Sequence, residues 1–147
     1  MALHLHKQIR DAVAAALTGL VTTAARVYAN RLYPMEDTSL PGLRVSTDAD
    51  DVTPVTLHLP YVQQHRLTLV VECCARATTG LDDTCDLMQK EVEIVLAAGF
   101  LIGTRRLYPV LTGSQYDDEA AGTPAAVKRV EFFVEYHTLN TQPDVLS

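Results

Sequence analysis

Residues 62–99 read VQQHRLTLVVECCARATTGLDDTCDLMQKEVEIVLAAG, and within them one hydrophobic period gives way to another. From Arg66 to Ala77 the apolar residues alternate. Leu67, Leu69, Val71, Cys73 and Ala75 fall on one side of an extended chain, and Thr68, Val70, Glu72, Cys74 and Arg76 on the other. A period of two is that of a strand. After Thr78-Thr79-Gly80 the spacing lengthens: Leu81, Cys85, Met88, Val92 and Val95 or Leu96 form one stripe of a helix. Asp82, Asp83 and Asp86 stand at its start, where carboxylates meet the positive end of the helix dipole, and Gly99 fits its C-terminal cap. This strand and helix supply most of a core.

Working outward, Leu5, Ile9, Val13, Ala16 or Leu17, and Leu20 predict an N-terminal helix from about Leu3 to Thr18, closed near Gly19. Ala25 to Tyr33 reads as a short strand stopped by Pro34, which has no amide to donate, and Met35 to Gly42 as a loop. Leu43 to Thr47 predicts a second strand, Asp48-Ala49-Asp50-Asp51 an acidic turn, and Val55, Leu57 and Leu59 a partly exposed strand ending at Pro60. Beyond the central helix come a strand from Leu107 to Thr112 and a polar stretch from Gly113 to Pro124. A closing strand runs from Val127 to His137, with Val130, Phe132, Val134 and Tyr136 on one face and Arg129, Glu131, Phe133, Glu135 and His137 on the other. Residues 139–147 read as a flexible polar tail. Short connections favour antiparallel neighbours. The expected fold is therefore α+β: a mainly antiparallel sheet of about five strands, with two helices packed on one face.

Composition sets the outer bounds. A chain of 147 residues fits a single domain over 1–147, large enough to bury a core without staples. Its 48% hydrophobic and 20% charged content is that of an ordinary globular protein. No apolar run reaches the roughly 18 residues of a membrane span, and Arg10 and Asp11 break the pattern of a signal peptide. A cytoplasmic site of synthesis and no membrane partner are expected. The net charge of −6 is the wrong sign for a general nucleic-acid surface.

The sequence offers little chemistry. Cys73 and Cys74 point to opposite faces of one strand and cannot pair, so these two and Cys85 are expected as reduced, buried thiols. Histidines 4, 6, 58, 65 and 137 have no ligand spacing, and no metal or cofactor is expected. Ser39, Ser46 and Ser114 lack the glycine-flanked elbow of a nucleophile, and no glycine-rich loop offers a phosphate cradle. No catalytic residue is assigned. The acidic groups around Asp50 and Asp51, and around Asp117, Asp118 and Glu119, read as solvated loops. A calcium or magnesium contact near Asp117 at a subunit boundary is a weaker alternative, without an EF-hand's ladder of ligands.

The order of elements and several local stretches resemble the tail-terminator proteins of long-tailed phages, the family of minor tail protein U. The resemblance is carried by Leu3-His4-Leu5-His6-Lys7-Gln8-Ile9-Arg10, by Val27-Tyr28-Ala29-Asn30-Arg31-Leu32-Tyr33-Pro34 and by Leu40-Pro41-Gly42-Leu43-Arg44-Val45. It continues through the central strand and helix to the closing Val130 to Tyr136 strand, which follows an acidic loop with Tyr116-Asp117-Asp118-Glu119. It implies a protein that assembles on itself as a ring, usually of six, caps the tail tube, ends its polymerisation and offers the face to which the head joins. The implied partners are the major tail tube protein and the head-completion or connector protein, with genome DNA sliding through an electronegative bore. Assembly would take place in the host cytoplasm and leave the protein at the head-proximal end of the virion tail. Head–tail connector and neck proteins of the same small α+β plan are the alternative, and a small enzyme or ligand-binding domain, needing convergent polar residues, the competing class.

The residues also point to an interface. Val70, Cys74 and Phe133 make the second face of the sheet too apolar for water, so a neighbouring subunit, the 113–126 stretch or the tail must cover it. The expected contact residues are Val70, Phe133 and Glu135 on that face, with Asp50, Asp51, Asp117, Asp118 and Glu119 at the boundary.

Overall fold

The computed structural model describes residues 3–29, 41–76, 80–117 and 125–147. Helix α1 (Leu5–Leu17) is followed by strands β1 (Val27–Tyr28), β2 (Gly42–Pro54) and β3 (Val62–Arg76), helix α2 (Leu81–Ala97), and strands β4 (Phe100–Ile102), β5 (Arg105–Leu107), β6 (Val110–Asp117) and β7 (Ala125–Leu139). The main sheet has the order β1-β2-β3-β7-β6, and β4 and β5 form a separate hairpin. Every pairing is antiparallel except β1 on β2, so the five-stranded sheet is mixed at one edge. The class is α+β, as the sequence predicts.

Alternation along β3 and β7 builds the core. Leu67, Leu69, Val71, Cys73 and Ala75 are buried on the face that also carries Val130, Phe132, Val134 and Tyr136. Both helices bury one stripe against it: Leu5, Ile9, Val13 and Leu17 from α1, and Cys85, Met88, Val92 and Leu96 from α2. Spacings of three and four residues bring each set to one side of its helix. Burial of each such aliphatic side chain is worth about 1.5–3 kcal/mol. Gly99 ends α2 at φ +75°, and a Cβ there would lie 2.6 Å from the Leu107 carbonyl oxygen. Glycine is required both for the left-handed turn and for the close approach of β5.

Several expectations are corrected. Asp48 to Asp51 do not form a turn. β2 runs through them to Pro54, with a bulge between Thr47 and Asp50 that absorbs the extra residue. The alternation of Val55, Leu57 and Leu59 lies beyond the end of β2, in the connection to β3, because alternation makes a strand only where a neighbour offers hydrogen bonds. The strand expected over 25–33 contains a paired portion of two residues, Val27 and Tyr28, and residues 30–40 lie outside the described residues. The strand expected at Leu107 to Thr112 is split between the β4–β5 hairpin, turned at Gly103 with φ +63°, and β6, which takes in Gly113 to Asp117 of the polar stretch.

The tail is docked. The Leu5 amide donates to the Pro143 carbonyl, the Gln8 side chain to the Asp144 carbonyl, and the Ser147 amide to the His137 carbonyl, while Leu146 packs on the core. It therefore lies against the helix side and does not cover the second face.

Cys73, Cys74 and Cys85 are free and buried, and burial raises the Cys73 thiol far above its ordinary value and that of Cys85 to about 11. A thiol reagent at neutral pH should titrate them only after denaturation. Leu69→Ala should cost about 2–5 kcal/mol in urea unfolding, and Leu69→Asp should abolish soluble expression.

Candidate functional site

The second face of the sheet is where the sequence placed an interface, and its register decides what is open there. Three cross-strand rows run over β2, β3, β7 and β6: Arg44–Glu72–Arg129–Gln115, Ser46–Val70–Glu131–Gly113, and Thr68–Phe133–Val110 without β2. The Arg129 guanidinium donates to Glu131 on its own strand at 2.8 Å and to Asp48 on β2, also at 2.8 Å. β3 lies between β2 and β7, so the Arg129–Asp48 pair must cross over it. The β3 residue between Ser46 and Glu131 is Val70, and it is 0% exposed. A second pair, Arg44 to Glu72 at 3.1 Å, adjoins it with both side chains largely buried. Arginine stems are long and apolar below the charged head, which is how an ion pair can roof a valine.

Val70 is therefore removed from the candidate contact residues, because the chain's own side chains seal it. Charges at 44, 48, 72 and 129 carry that roof, and single-residue reading could not pair them: Asp48 and Arg129 are 81 residues apart. A charged residue beside an apolar strand position on each neighbour was the available signal.

The other end of the same face is open. Asp51, Arg66 and Glu135 form one row, and the Arg66 guanidinium lies 3.8 Å from the centre of the Phe133 ring and 3.8 Å from the Glu135 carboxylate. Val110, 48% exposed, stands beside Phe133 in register. Two expected contact residues, Phe133 and Glu135, thus meet at one arginine, and a third, Asp51, is its register partner on β2. Exposed pairs of this kind contribute about 1 kcal/mol or less, so the patch is cheap to rearrange against another surface. Beyond it the β2–β3 connection carries Leu57 at 101% and Leu59 at 77% exposure, an apolar tip that the sequence had placed in a strand.

Asp50 points the other way. The bulge turns it to the helix side, where its Oδ2 lies 2.9 Å from His6 Nε2 and 2.8 Å from His65 Nδ1. It is not part of a solvated acidic loop. Asp117 ends β6 opposite Val127, and Asp118 and Glu119 lie outside the described residues.

At the far end of the helix side, Lys128 donates to Asp86 at 2.5 Å and stands over the Tyr116 ring, beside a surface trough that Gln89, Lys90 and Ile94 of α2 also line. The hydrogen bond from Lys128 holds the Asp86 carboxyl below its ordinary range, and burial, then Asp86, pushes Tyr116 up to about 12. A lowered carboxyl stabilises the fold above the usual carboxylate range and loses that effect as pH falls through its folded value. Among the described residues no group of three or more histidine, cysteine or acidic side chains is placed to hold a metal ion, and no helix is long and apolar enough to cross a membrane.

No family model matches this chain, and no curated protein matches it. Solved structures do. One match is a chain from the virion of a native gene transfer agent (GTA) particle, 20% identical, covering 93% of this chain and 96% of that one with a TM-score of 0.51. At that identity the likeness is one of fold.

Val70→Asp should destabilise the chain by about 3–5 kcal/mol, the cost of a buried unpaired charge, in urea unfolding. Phe133→Asp should change it by about 1 kcal/mol or less and act on assembly instead. Equal effects of the two would show that the face is not divided as described.

Proposed function

We propose that this chain is a structural protein of a phage-like particle that forms a ring, caps the tail tube, ends its growth and supplies the head-joining face. The observation that carries the reading is the end-to-end likeness of fold to a chain of a gene transfer agent virion. Surface features support it: an open patch around Arg66 and Phe133 and an apolar hairpin tip at Leu57 and Leu59 are unlike one another and lie on one chain. Unlike surfaces that meet head to tail generate closed rings when the rotation closes.

On this reading the ring has six copies, with the tail tube protein on one side and the head-completion protein on the other. The charge of −6 suits a bore through which DNA slides without sticking. The role is structural, not enzymatic, with assembly in the host cytoplasm and a final place in the virion tail. Asp51, Phe133, Glu135, Asp117, Asp118 and Glu119 are the proposed contact residues.

Particles lacking the protein should carry tails of irregular, excessive length that fail to join heads, as seen by negative-stain microscopy. Tails of normal length that lack heads would assign the protein to the neck instead. Normal, joined tails would remove both roles. Purified protein should give rings by native mass spectrometry or microscopy, more readily at raised salt if the acidic residues Asp117 to Glu119 of neighbouring copies face one another.

A further inference from the structure

Two surface features at opposite ends of the sheet are complementary. The first is the connection between β2 and β3. Residues 52–61, VTPVTLHLPY, contain no Asp, Glu, Lys or Arg, and Val55, Leu57 and Leu59 are exposed. Its base is closed: the Val55 amide donates to the Val62 carbonyl, the Val62 amide to Thr56 Oγ1, and the Tyr61 amide to Asn140 Oδ1. The leucines therefore project from a fixed base. Among the described residues the amides of Leu57, His58 and Leu59 find no backbone acceptor. Apolar side chains held out in water in this way mark a contact surface.

The second feature is the trough of about 640 Å³ between α2 and β7, lined by Asp86, Gln89, Lys90, Glu93, Ile94 and Lys128. Two carboxylates and two ammonium groups balance, so its rim has no net charge. Ile94, 63% exposed, and the lysine stems give it an apolar floor. Asp86, Gln89 and Glu93 supply acceptors, and Gln89 Oε1 is buried without a hydrogen-bond partner. The recess beside Asp144 to Leu146 is smaller, about 230 Å³, and is lined by the docked C-terminal residues. Along β7, Lys128 and Leu139, the partner of Val62 at the base of the connection, are eleven residues or about 36 Å apart. No copy can bring its own tip to its own trough.

We propose that the trough of one copy receives the Leu57–Leu59 tip of a second copy. A projection and a recess at different places on one chain make a heterologous contact, which leaves a free trough and a free tip at the ends of every pair. The net charge of −6 sets copies against one another, and this contact joins an uncharged segment to a charge-balanced surface. It supplies the contact between neighbours in the proposed ring, and rests on that reading for closure alone.

The test is the size of the full chain by native mass spectrometry and sedimentation velocity, for wild type, for Leu57→Asp with Leu59→Asp, and for Ile94→Glu. The three positions are exposed, so both variants should unfold in urea as wild type does. Each variant alone should lose the oligomers that wild type forms. Mixed in equal amounts, the two should give a heterodimer and nothing larger, because the mixture pairs one intact tip with one intact trough. Variants that assemble alone, or a mixture that restores the wild-type oligomers, would overturn the contact. Oxidation of a Leu57→Cys, Ile94→Cys double variant traps weak assemblies, since the native thiols are buried. A covalent ladder that ends at a closed ring supports the contact and the ring together. An open ladder supports the contact and overturns the ring; rings without the cross-link do the reverse. Monomeric wild type with no ladder would overturn the contact and leave the tip to a different protein.

Discussion

A central strand with neighbours on both edges and apolar side chains on both faces has to be covered twice, and β3 is that strand. Leu67, Leu69, Val71 and Cys73 on one face need the helices; Val70 and Cys74 on the other need something else. The helix side is covered by hydrophobic stripes whose spacing is local. The second side is covered, over Val70, by charged side chains reaching across from β2 and β7. Every other placement follows from satisfying these two faces: α1 and α2 lie together on one side, and the docked C-terminal residues lie against α1.

That division shapes what is left for contact with other molecules. The Arg44–Glu72 pair is largely buried, and Arg129 is held within the chain by a half-exposed Asp48. The groups around Arg66 remain at the surface, with weak mutual attraction and an aromatic ring beneath. Such a patch can exchange its internal contacts for external ones at small cost, whereas opening the roof over Val70 would expose a fully buried apolar side chain beside the largely buried Arg44–Glu72 pair. The apolar tip of the β2–β3 hairpin adds a second surface of different shape. A chain with two unlike surfaces is suited to head-to-tail assembly, and this is the physical content of the ring proposal.

The bulge in β2 links the two faces. By inserting a residue between Thr47 and Asp50 it sends Asp48 to the second face, where it meets Arg129, and Asp50 to the helix side, where it meets His6 and His65. Without the extra residue the register would place one of these carboxylates on the wrong side, because successive side chains alternate. Its two carboxylates thus bind α1 and β7 to the strand β2 from opposite faces.

The sequence by itself determined the periodic parts: the two faces of β3 and β7, the buried stripes of both helices, the glycine ends at Gly19 and Gly99, and three buried thiols. These depend on neighbours within a few residues, so the spacing of side chains records them directly. Tertiary structure alone decided the extent of β2, the split of the segment after Phe100 into a hairpin and an edge strand, the docking of residues 139–147, and the fate of the polar groups. A cluster such as Asp48-Ala49-Asp50-Asp51 has the composition of a turn, and it becomes strand only because β3 supplies hydrogen bonds along its length. For the same reason Val70 could be assigned to a face from its neighbours, but not to burial. Its cover comes from Asp48 and Arg129, which are brought together only when β3 lies between their strands.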